Sequence, residues 1–194
     1  MLFNESVDYK SYEIIGGEKF MSPSANLFHN NVMGGLYTII SMYLHRNKNG
    51  YVFTDSVDVH LPDGNLFKPD LVVVTKENSK ILNWQRAIYG VPDMVVEVLS
   101  RSTRKRDLTI KKDIYESNGV KEYWIVDPYM KAVDVYILHD GKFEFDESYH
   151  KYTDYEFESL TDEEKADAKS EIKVSIFDDL IINVEDIFSW SYDY

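Results

Sequence analysis

Runs of apolar residues with two different periods divide the chain into short strands and helices. Residues 11–22 predict a β-hairpin around Gly16-Gly17, because glycine adopts the positive φ angles that a tight turn needs. From residue 26 to about residue 45 the apolar positions recur at helical spacing and predict a long helix, with a hydroxyl of Ser22-Pro23-Ser24 as its N-cap. Three strands are predicted next, at residues 51–59, 70–75 and 94–99. The last two are almost continuously apolar, which is typical of strands covered on both faces of a sheet.

The second half of the chain adds one helix and two strands, and then becomes acidic. A helix is predicted from about residue 108 to 117, with Asn118-Gly119 as its C-terminal stop. Strands are predicted at residues 121–126 and 133–138. Residues 140–171 are mostly polar and acidic, so we expect a solvated excursion there before the chain packs back onto the core. This order predicts a single α/β domain over residues 1–194, with an N-terminal β-hairpin.

The charge of the chain is unevenly distributed. The net charge is −13, from 21 Lys and Arg against 34 Asp and Glu, which taken whole disfavours a nucleic-acid partner. Residues 140–194 hold 17 acids and 5 bases, a net of −12, so residues 1–139 hold 17 acids and 16 bases, a net of −1. Six of those bases fall within residues 101–112, at Arg101, Arg104, Lys105, Arg106, Lys111 and Lys112. The sequence therefore predicts an acidic protein with one local basic patch.

Several classes of protein are disfavoured by what the sequence lacks. There is no cysteine, which excludes disulfides, thiolate catalysis and zinc sites built on cysteine. The N-terminus has no basic and then apolar run of the kind that a signal peptide carries, and no apolar stretch approaches the roughly 18 residues that span a membrane. We therefore expect a cytoplasmic protein with no membrane partner.

Two carboxylates stand at the start of, or inside, predicted buried strands. Asp70 opens the strand at residues 70–75, and Glu97 interrupts the apolar run VVEVL at residues 95–99. A buried carboxylate is costly unless a cation or a metal pairs with it. Two carboxylates on neighbouring strands, with a lysine nearby, form an oxygen site suited to Mg²⁺, which can generate hydroxide and stabilise charge on a phosphate. For each carboxylate alone, an ion pair at a strand end is the alternative.

The predicted helix that follows Glu97 supplies a cation. Asp107, Lys111 and Tyr115 are spaced four residues apart and share one helix face. Lys111 can therefore point back toward Glu97, whereas Lys112 points about 100° away. Spacing alone leaves open the alternative that both lysines are solvated.

Several of these residues lie in motifs that resemble one family. The motifs of the middle third are Pro69-Asp70, EVLS (97–100), STRKRDL (102–108), Lys111 followed by Tyr115, and GVKEYWIVDP (119–128). Looser matches at the ends are YEIIGGE (12–18), MSPS (21–24), His29 and residues 177–188. Together they resemble the Uma-two family of restriction endonucleases, in the PD-(D/E)xK nuclease superfamily, over nearly the whole chain except the acidic stretch.

The resemblance implies a fold, an activity and a set of site residues. The implied fold is restriction-endonuclease-like, a mixed β-sheet flanked by helices, and the implied activity is metal-dependent hydrolysis of phosphodiester bonds in nucleic acid, with DNA as the expected substrate. Asp70 and Glu97 would be catalytic and would hold Mg²⁺ or Mn²⁺, with the backbone carbonyl of Val98 as a further ligand. The third position of the Glu-x-Lys signature is Leu99 here, so the standard lysine is missing. The resemblance suggests that Lys111, from the next helix, takes the catalytic role of that lysine.

Other residues are candidates for supporting roles. Glu18 is a candidate additional acid and His29 a candidate base or metal neighbour, and the alternatives are a surface residue at the hairpin edge and a solvated or packing histidine. The basic run predicts phosphate contacts whose affinity falls with salt, made by Arg101, Arg104, Lys105 and Arg106. The alternative for this run is a solvated loop whose charges pair with the acidic C-terminal segment.

Three functions stay open at this point. The leading hypothesis is a Mg²⁺-dependent endonuclease with nucleic acid as its partner. The second is a non-catalytic nuclease-fold module, favoured by the net charge of −13 and by the missing signature lysine. The third is hydrolysis of another phosphate ester. A homodimer also stays open, since nucleases of this fold often dimerise, but no motif in the sequence marks an interface.

Overall fold

The structure is a computed structural model, and it describes residues 12–21 and 26–189. In chain order these residues first form β1 (Tyr12–Ile15), β2 (Glu18–Met21), α1 (Leu27–Asn47), β3 (Gly50–Thr54), β4 (Val59–His60), β5 (Leu66–Phe67), β6 (Leu71–Thr75), a 3₁₀ turn (Ser79–Ile81), β7 (Leu82–Asn83), β8 (Ala87–Tyr89) and β9 (Met94–Val98). The remaining elements are α2 (Arg104–Arg106), a π-helical segment (Asp107–Lys111), α3 (Lys112–Asn118), β10 (Glu122–Asp127), β11 (Ala132–His139), β12 (Lys142–His150), α4 (Asp154–Ser159), α5 (Asp162–Asp167), β13 (Glu171–Lys173), β14 (Ile181–Asn183) and α6 (Val184–Phe188).

A six-stranded sheet with the order β12-β11-β10-β9-β6-β3 forms the centre of the fold. Strands β9 and β10 run parallel, and the other neighbours run antiparallel. The parallel pair requires a crossover connection, which the helical residues 104–118 supply. The sheet is therefore mixed and flanked by helices, which confirms the predicted fold class. Strands β3 and β12 are its two edges.

The alternation of side chains along the central strands separates two hydrophobic cores. Val96 and Val98 of β9 pack with α1 and the C-terminal elements on one face of the sheet. Val95 packs on the opposite face, in a core that also contains Tyr115 of α3. Because Glu97 stands between Val96 and Val98, its side chain points to the second face, toward α3. The packing of α3 on this face is what brings a helix to the predicted carboxylate.

A second sheet covers that same face and has the order β2-β1-β5-β4-β8-β7. Strands β1 and β2 form the predicted hairpin, with Gly16 and Gly17 at φ angles of 59° and 83° in its turn. Ile14 of β1 pairs with Leu66 of β5, and Ile15 is buried in the second core. The short strands β4, β5, β7 and β8 hold only two or three residues each, and apart from Val59 their residues lie outside the predicted strands.

The helix termini follow local capping rules. The side chain of Asn26 accepts a hydrogen bond from the backbone amide of His29 at 3.0 Å and caps α1. The serine cap predicted at residues 22–24 was therefore wrong about the capping residue, and those residues lie outside the part that the structure describes. Gly119 adopts a φ of 87° after α3 and donates its amide to the last turn, as the Asn118-Gly119 stop predicted.

The acidic stretch at residues 140–171 contains both regular strand and exposed helix. Its first part is β12, the nine-residue edge strand that pairs with β11. The helices α4 and α5 follow, each with a capping box at its start and no buried residue. Ile172, Ile182 and Ile187 then return to the first core. Within residues 12–21 and 26–189, no helix has the length and apolar character needed to cross a bilayer.

Candidate active site

The two predicted carboxylates meet at adjacent strands of the central sheet. Leu71 lies opposite Val96 in the antiparallel pair of β6 and β9, so the register sets Asp70 opposite Glu97. The backbone amide of Val98 donates to Oδ2 of Asp70 at 2.6 Å, which fixes this carboxylate against the end of β9. Glu97 is 2% exposed. The strand register, rather than a loop, therefore holds the pair in place.

Lys111 reaches Glu97 from the helix that packs over the second core. Its Nζ lies 3.0 Å from Oε1 of Glu97 and 3.4 Å from Oδ1 of Asp107, within the π-helical segment. Lys112 points elsewhere, with its Nζ 3.6 Å from the centre of the Tyr136 ring. The i, i+4 spacing of Asp107 and Lys111 therefore directs both side chains to the carboxylates, as the sequence predicted. The π-helical segment begins at Asp107 and ends at Lys111, so both of these buried charged residues belong to it.

Two further residues complete the contacts of Lys111 and Glu97. Glu13 of β1, 3% exposed, places Oε1 at 2.9 Å from Nζ of Lys111. The hydroxyl of Tyr115 donates to Oε1 of Glu97 at 3.0 Å. The sequence pattern predicts Tyr115 on the helix face of Lys111 but gives neither Tyr115 nor Glu13 a role in the site. Glu13 carried the same signal as Glu97, because it shares a strand face with Ile15, which is buried.

Burial and mutual repulsion set the electrostatics of this cluster. Burial raises the pKa of Glu97, and the charges of Asp107, Asp70 and Glu13 raise it further, against the lowering effect of Lys111. Burial likewise raises the pKa of Asp107, with Lys111 opposing it. Burial by itself lowers the pKa of Lys111, but the charges of the surrounding carboxylates outweigh it, so the pKa lies above its ordinary value. Lys111 is therefore a fixed positive charge at neutral pH.

His29 lies at the first turn of α1 and supports Asp70. Its Nε2 is 3.1 Å from Oδ2 of Asp70. Burial lowers the pKa of His29, but the hydrogen bond and the charge of Asp70 more than offset this and hold the pKa above its ordinary value. Nδ1 of His29 is buried and has no hydrogen-bond partner among the described residues. His29 thus contacts Asp70 from α1, whereas Lys111 contacts Glu97 from the helix on the other face of the sheet.

The donor set fits a hard divalent cation that keeps part of its own hydration shell. Acidic groups outnumber basic ones in this cluster, which consists of the carboxyl groups of Glu13, Asp70, Glu97 and Asp107, the ammonium group of Lys111 and the ring of His29. Oδ1 of Asp70 and Oε2 of Glu97 accept no hydrogen bond from the described residues. In the same part of the chain, no three His, Asp or Glu residues are grouped so that together they could hold a metal ion, so a metal here would have two carboxylates as its acidic ligands. Mg²⁺ suits such a site, since it binds one or two carboxylates and fills its other positions with water and phosphate.

The remaining candidates lie apart from this cluster. Glu18 is exposed at the start of β2, and the acid that the hairpin supplies to the site is Glu13 instead. Arg104 lies 2.5 Å from Asp127, and Arg106 lies over the ring of Phe20 at 5.0 Å. Arg101 and Lys105 are exposed and form no ion pair within the described residues. The partners of Arg104 and Arg106 thus lie outside residues 140–171.

Comparison with known proteins assigns the chain to a family. The family described as "Putative restriction endonuclease" matches residues 5–166, which is most of the chain. The chain belongs to the Uma-two family. No curated protein matches it. A crystal structure titled as a "putative nuclease belonging to DUF820", from Anabaena variabilis, is similar with a TM-score of 0.70 and 20% identity, and the match covers 93% of this chain and 91% of that chain.

The two comparisons support different statements about this Uma-two protein. At 20% identity the crystal structure shows that the fold is shared, which confirms the restriction-endonuclease-like fold that the motifs implied. The family match covers Glu13, His29, Asp70, Glu97 and Lys111. The cluster described above therefore lies within the matched part of the chain, whereas β13, β14 and α6 lie beyond it.

Proposed function

We propose that this protein is a metal-dependent endonuclease that hydrolyses phosphodiester bonds of DNA. Mg²⁺ or Mn²⁺ would be held by Asp70, Glu97 and the backbone carbonyl of Val98. The observation that carries the proposal is the pair of facing carboxylates, each with one oxygen that accepts no hydrogen bond from the described residues. Membership of a family described as "Putative restriction endonuclease" supports the same activity.

The chain's own residues have distinct tasks in this mechanism. When bound, the metal ion supplies a Lewis acid that polarises the phosphate and lowers the pKa of a water ligand. The amide of Val98 and the ring of His29 orient Asp70. Tyr115 and Lys111 both contact Oε1 of Glu97, which leaves Oε2 free. Each acidic ligand is thus positioned by contacts on one oxygen only.

Lys111 acts as a fixed charge rather than as a base. It stays protonated because the neighbouring carboxylates hold its pKa above the ordinary value. A preorganised cation close to a phosphate stabilises the charge that develops on it in the transition state. Lys111 would therefore replace the missing lysine of the Glu-x-Lys signature from a helix rather than from β9.

The basic run after β9 would bind the phosphate backbone of the substrate. Arg101 and Lys105 are exposed and form no ion pair within the described residues, so both are available for phosphates. Arg104 is 53% exposed in spite of its contact with Asp127. Such contacts give affinity without sequence specificity and weaken as salt rises.

The test is cleavage of plasmid and single-stranded DNA with Mg²⁺ or Mn²⁺. The variants are Asp70→Asn, Glu97→Gln and Lys111→Met, with Lys112→Met as the matched control because Lys112 adjoins the site in sequence but points to Tyr136. We expect metal-dependent cleavage by wild type and by Lys112→Met, and a loss of at least about 100-fold in the other three. Each variant is checked for folding by circular dichroism before it is assayed.

The other outcomes separate the alternatives. Loss only in Asp70→Asn and Glu97→Gln would keep the metal site and remove Lys111 from catalysis. Metal binding without DNA cleavage by wild type would point to another phosphate ester. No metal binding and no cleavage would leave a non-catalytic nuclease-fold module, and equal activity in all variants would indicate a contaminating nuclease.

A further inference from the structure

The edge strand β3 borders a groove of about 420 Å³ that lies outside the candidate active site. The last two turns of α1 form one wall, and the turn between β7 and β8 forms the other. The residues that define this β3 groove are His45, Lys48, Tyr51, Phe53, Lys76 and Trp84. None of them takes part in the contacts of Asp70, Glu97 or Lys111.

An exposed tryptophan is held in place at one wall of the β3 groove. The side chain of Trp84 is 69% exposed. Its ring lies 5.0 Å from the ring of Tyr51 at an interplanar angle of 80°, and 6.1 Å from that of Phe53 at 64°. These edge contacts orient the indole while most of its surface stays in solvent. An oriented, exposed aromatic ring is a surface on which a planar base can stack.

The segments that line the β3 groove are positively charged in an acidic protein. Residues 45–53 and 76–86 contain five bases and one acid, a net of +4, whereas the whole chain carries −13. The bases are Arg46, Lys48, Lys76, Lys80 and Arg86, all exposed, and none forms an ion pair within the described residues. Unpaired cations beside stacking aromatic rings match the two components of a nucleic acid strand, its phosphates and its bases.

The acidic edge strand lies at the far side of the central sheet. Strand β12 is the opposite edge, five strand spacings from β3 or about 24 Å. This distance exceeds the Debye length of about 8–10 Å at physiological ionic strength, so the acidic edge does not cancel the positive potential at β3. A contact between two copies through the β3 groove would instead bring like charges together, which disfavours a second copy as the occupant.

The β3 groove and the candidate active site lie at two points along the same strand. Thr54, the last residue of β3, pairs with Leu71, which directly follows Asp70. Tyr51 is three residues earlier in the same strand, about 10 Å away along its length. A nucleic acid strand that leaves the carboxylate pair along β3 therefore reaches Trp84 within a short distance.

We propose that the β3 groove binds single-stranded nucleic acid, with a base stacked on Trp84 and phosphates contacted by Lys48 and Lys76. The inference rests on the proposed nuclease function, because it assigns a second holding surface for the substrate strand. A nucleic acid strand bound in the β3 groove is held at a nucleotide some distance along the strand from the phosphodiester bond that is cut.

Binding is measured by fluorescence anisotropy of a labelled oligothymidine in EDTA, with the full chain and at several salt concentrations. Trp84→Ala is compared with Tyr155→Ala, which removes an aromatic residue that is 82% exposed on α4, in the acidic stretch. We expect Trp84→Ala to weaken binding about 5-fold to 100-fold and Tyr155→Ala to leave it unchanged. Lys48→Ala/Lys76→Ala should reduce the slope of log affinity against log salt by about 1.4.

Each of the other outcomes of the binding assay overturns either this inference or the nuclease proposal. Absence of binding by wild type, or equal affinity of Trp84→Ala and Tyr155→Ala, overturns the inference. If Trp84→Ala converts a dimer to a monomer in analytical ultracentrifugation and leaves affinity unchanged, the β3 groove is a contact between copies, and the inference is overturned. Because the binding assay contains no metal, it is independent of cleavage: binding through Trp84 without any cleavage would sink only the nuclease proposal.

Discussion

Replacement of Lys111 by methionine tests the electrostatic account of the site most directly. Lys111 is 3% exposed and is the cation that contacts Glu13, Glu97 and Asp107, at 2.9, 3.0 and 3.4 Å. Methionine keeps most of the volume and removes the charge. Removing one partner of a buried ion pair typically costs about 3–5 kcal/mol, because the other partner is left uncompensated. We expect a loss of about 4 kcal/mol in the free energy of unfolding near pH 8.

The loss of unfolding free energy in Lys111→Met should be smaller at acidic pH than at alkaline pH. The pKa values of Glu97 and Asp107 are already raised by burial, and without Lys111 they rise further. An acid whose folded-state pKa is raised above its unfolded value destabilises the fold as pH rises through that folded value. The variant should therefore recover stability on acidification, and its deficit should be smaller by at least about 1 kcal/mol near pH 5.5 than near pH 8.

Urea unfolding of wild type and variant at both pH values provides the measurement. Lys112→Met is the control and should lose at most about 1 kcal/mol, the value of an exposed cation–π contact. The double variant Lys111→Met/Glu97→Gln should regain part of the loss, since one uncompensated charge is gone. A deficit below about 1 kcal/mol, or one that is equal at the two pH values, would refute the reasoning.

Two further predictions concern the metal site and a separate buried carboxylate. Mg²⁺ at about 100 times its dissociation constant should stabilise wild type by about 2.7 kcal/mol, which corresponds to a rise in Tm of about 5–10 °C. Asp70→Asn should abolish this rise in Tm. If the variant retains it, Asp70 is not a ligand of the metal. Asp93 is buried, and burial by itself raises its pKa, but Lys121 and hydrogen bonds from Thr75 and Asn78 outweigh this and lower it. The stabilisation that ionised Asp93 gives to the fold is therefore present above its unfolded-state pKa, and it is lost as the pH falls through its folded-state pKa. Asp93→Asn should cost about 2 kcal/mol near pH 7 and progressively less toward pH 3 in urea unfolding, and a cost that does not change with pH would contradict this.

The cluster around Lys111 affects stability and, under the proposed function, catalysis as well. Three carboxylates that hold one buried lysine are costly to desolvate, and replacement by apolar residues would often stabilise a fold. The open oxygens of Asp70 and Glu97 are the features that a purely structural ion pair does not need. This is why the stability and cleavage assays of the same Lys111 variant are informative together: the first measures the ion pairs, and the second measures the charge offered to a phosphate.

The local pattern of the sequence predicted the hairpin, α1 and four strands of the central sheet, and it singled out the candidate residues Asp70, Glu97 and Lys111. Continuous apolar runs identified β6 and β9, and helical spacing placed Lys111 on the face of the helix that meets Glu97. These inferences succeeded because the periods of strands and helices are local, and because a carboxylate in a buried strand implies a partner.

Only the tertiary structure decided which more distant residues join the site. The hairpin offered two acids, and the pairing of β1 with β5 turns Glu13 inward and leaves Glu18 in solvent. Strand register set Asp70 opposite Glu97, and strand order made β3 an edge that a groove can border. Such contacts join residues far apart in the chain, and neither periodicity nor spacing encodes them, because they depend on how whole elements pack.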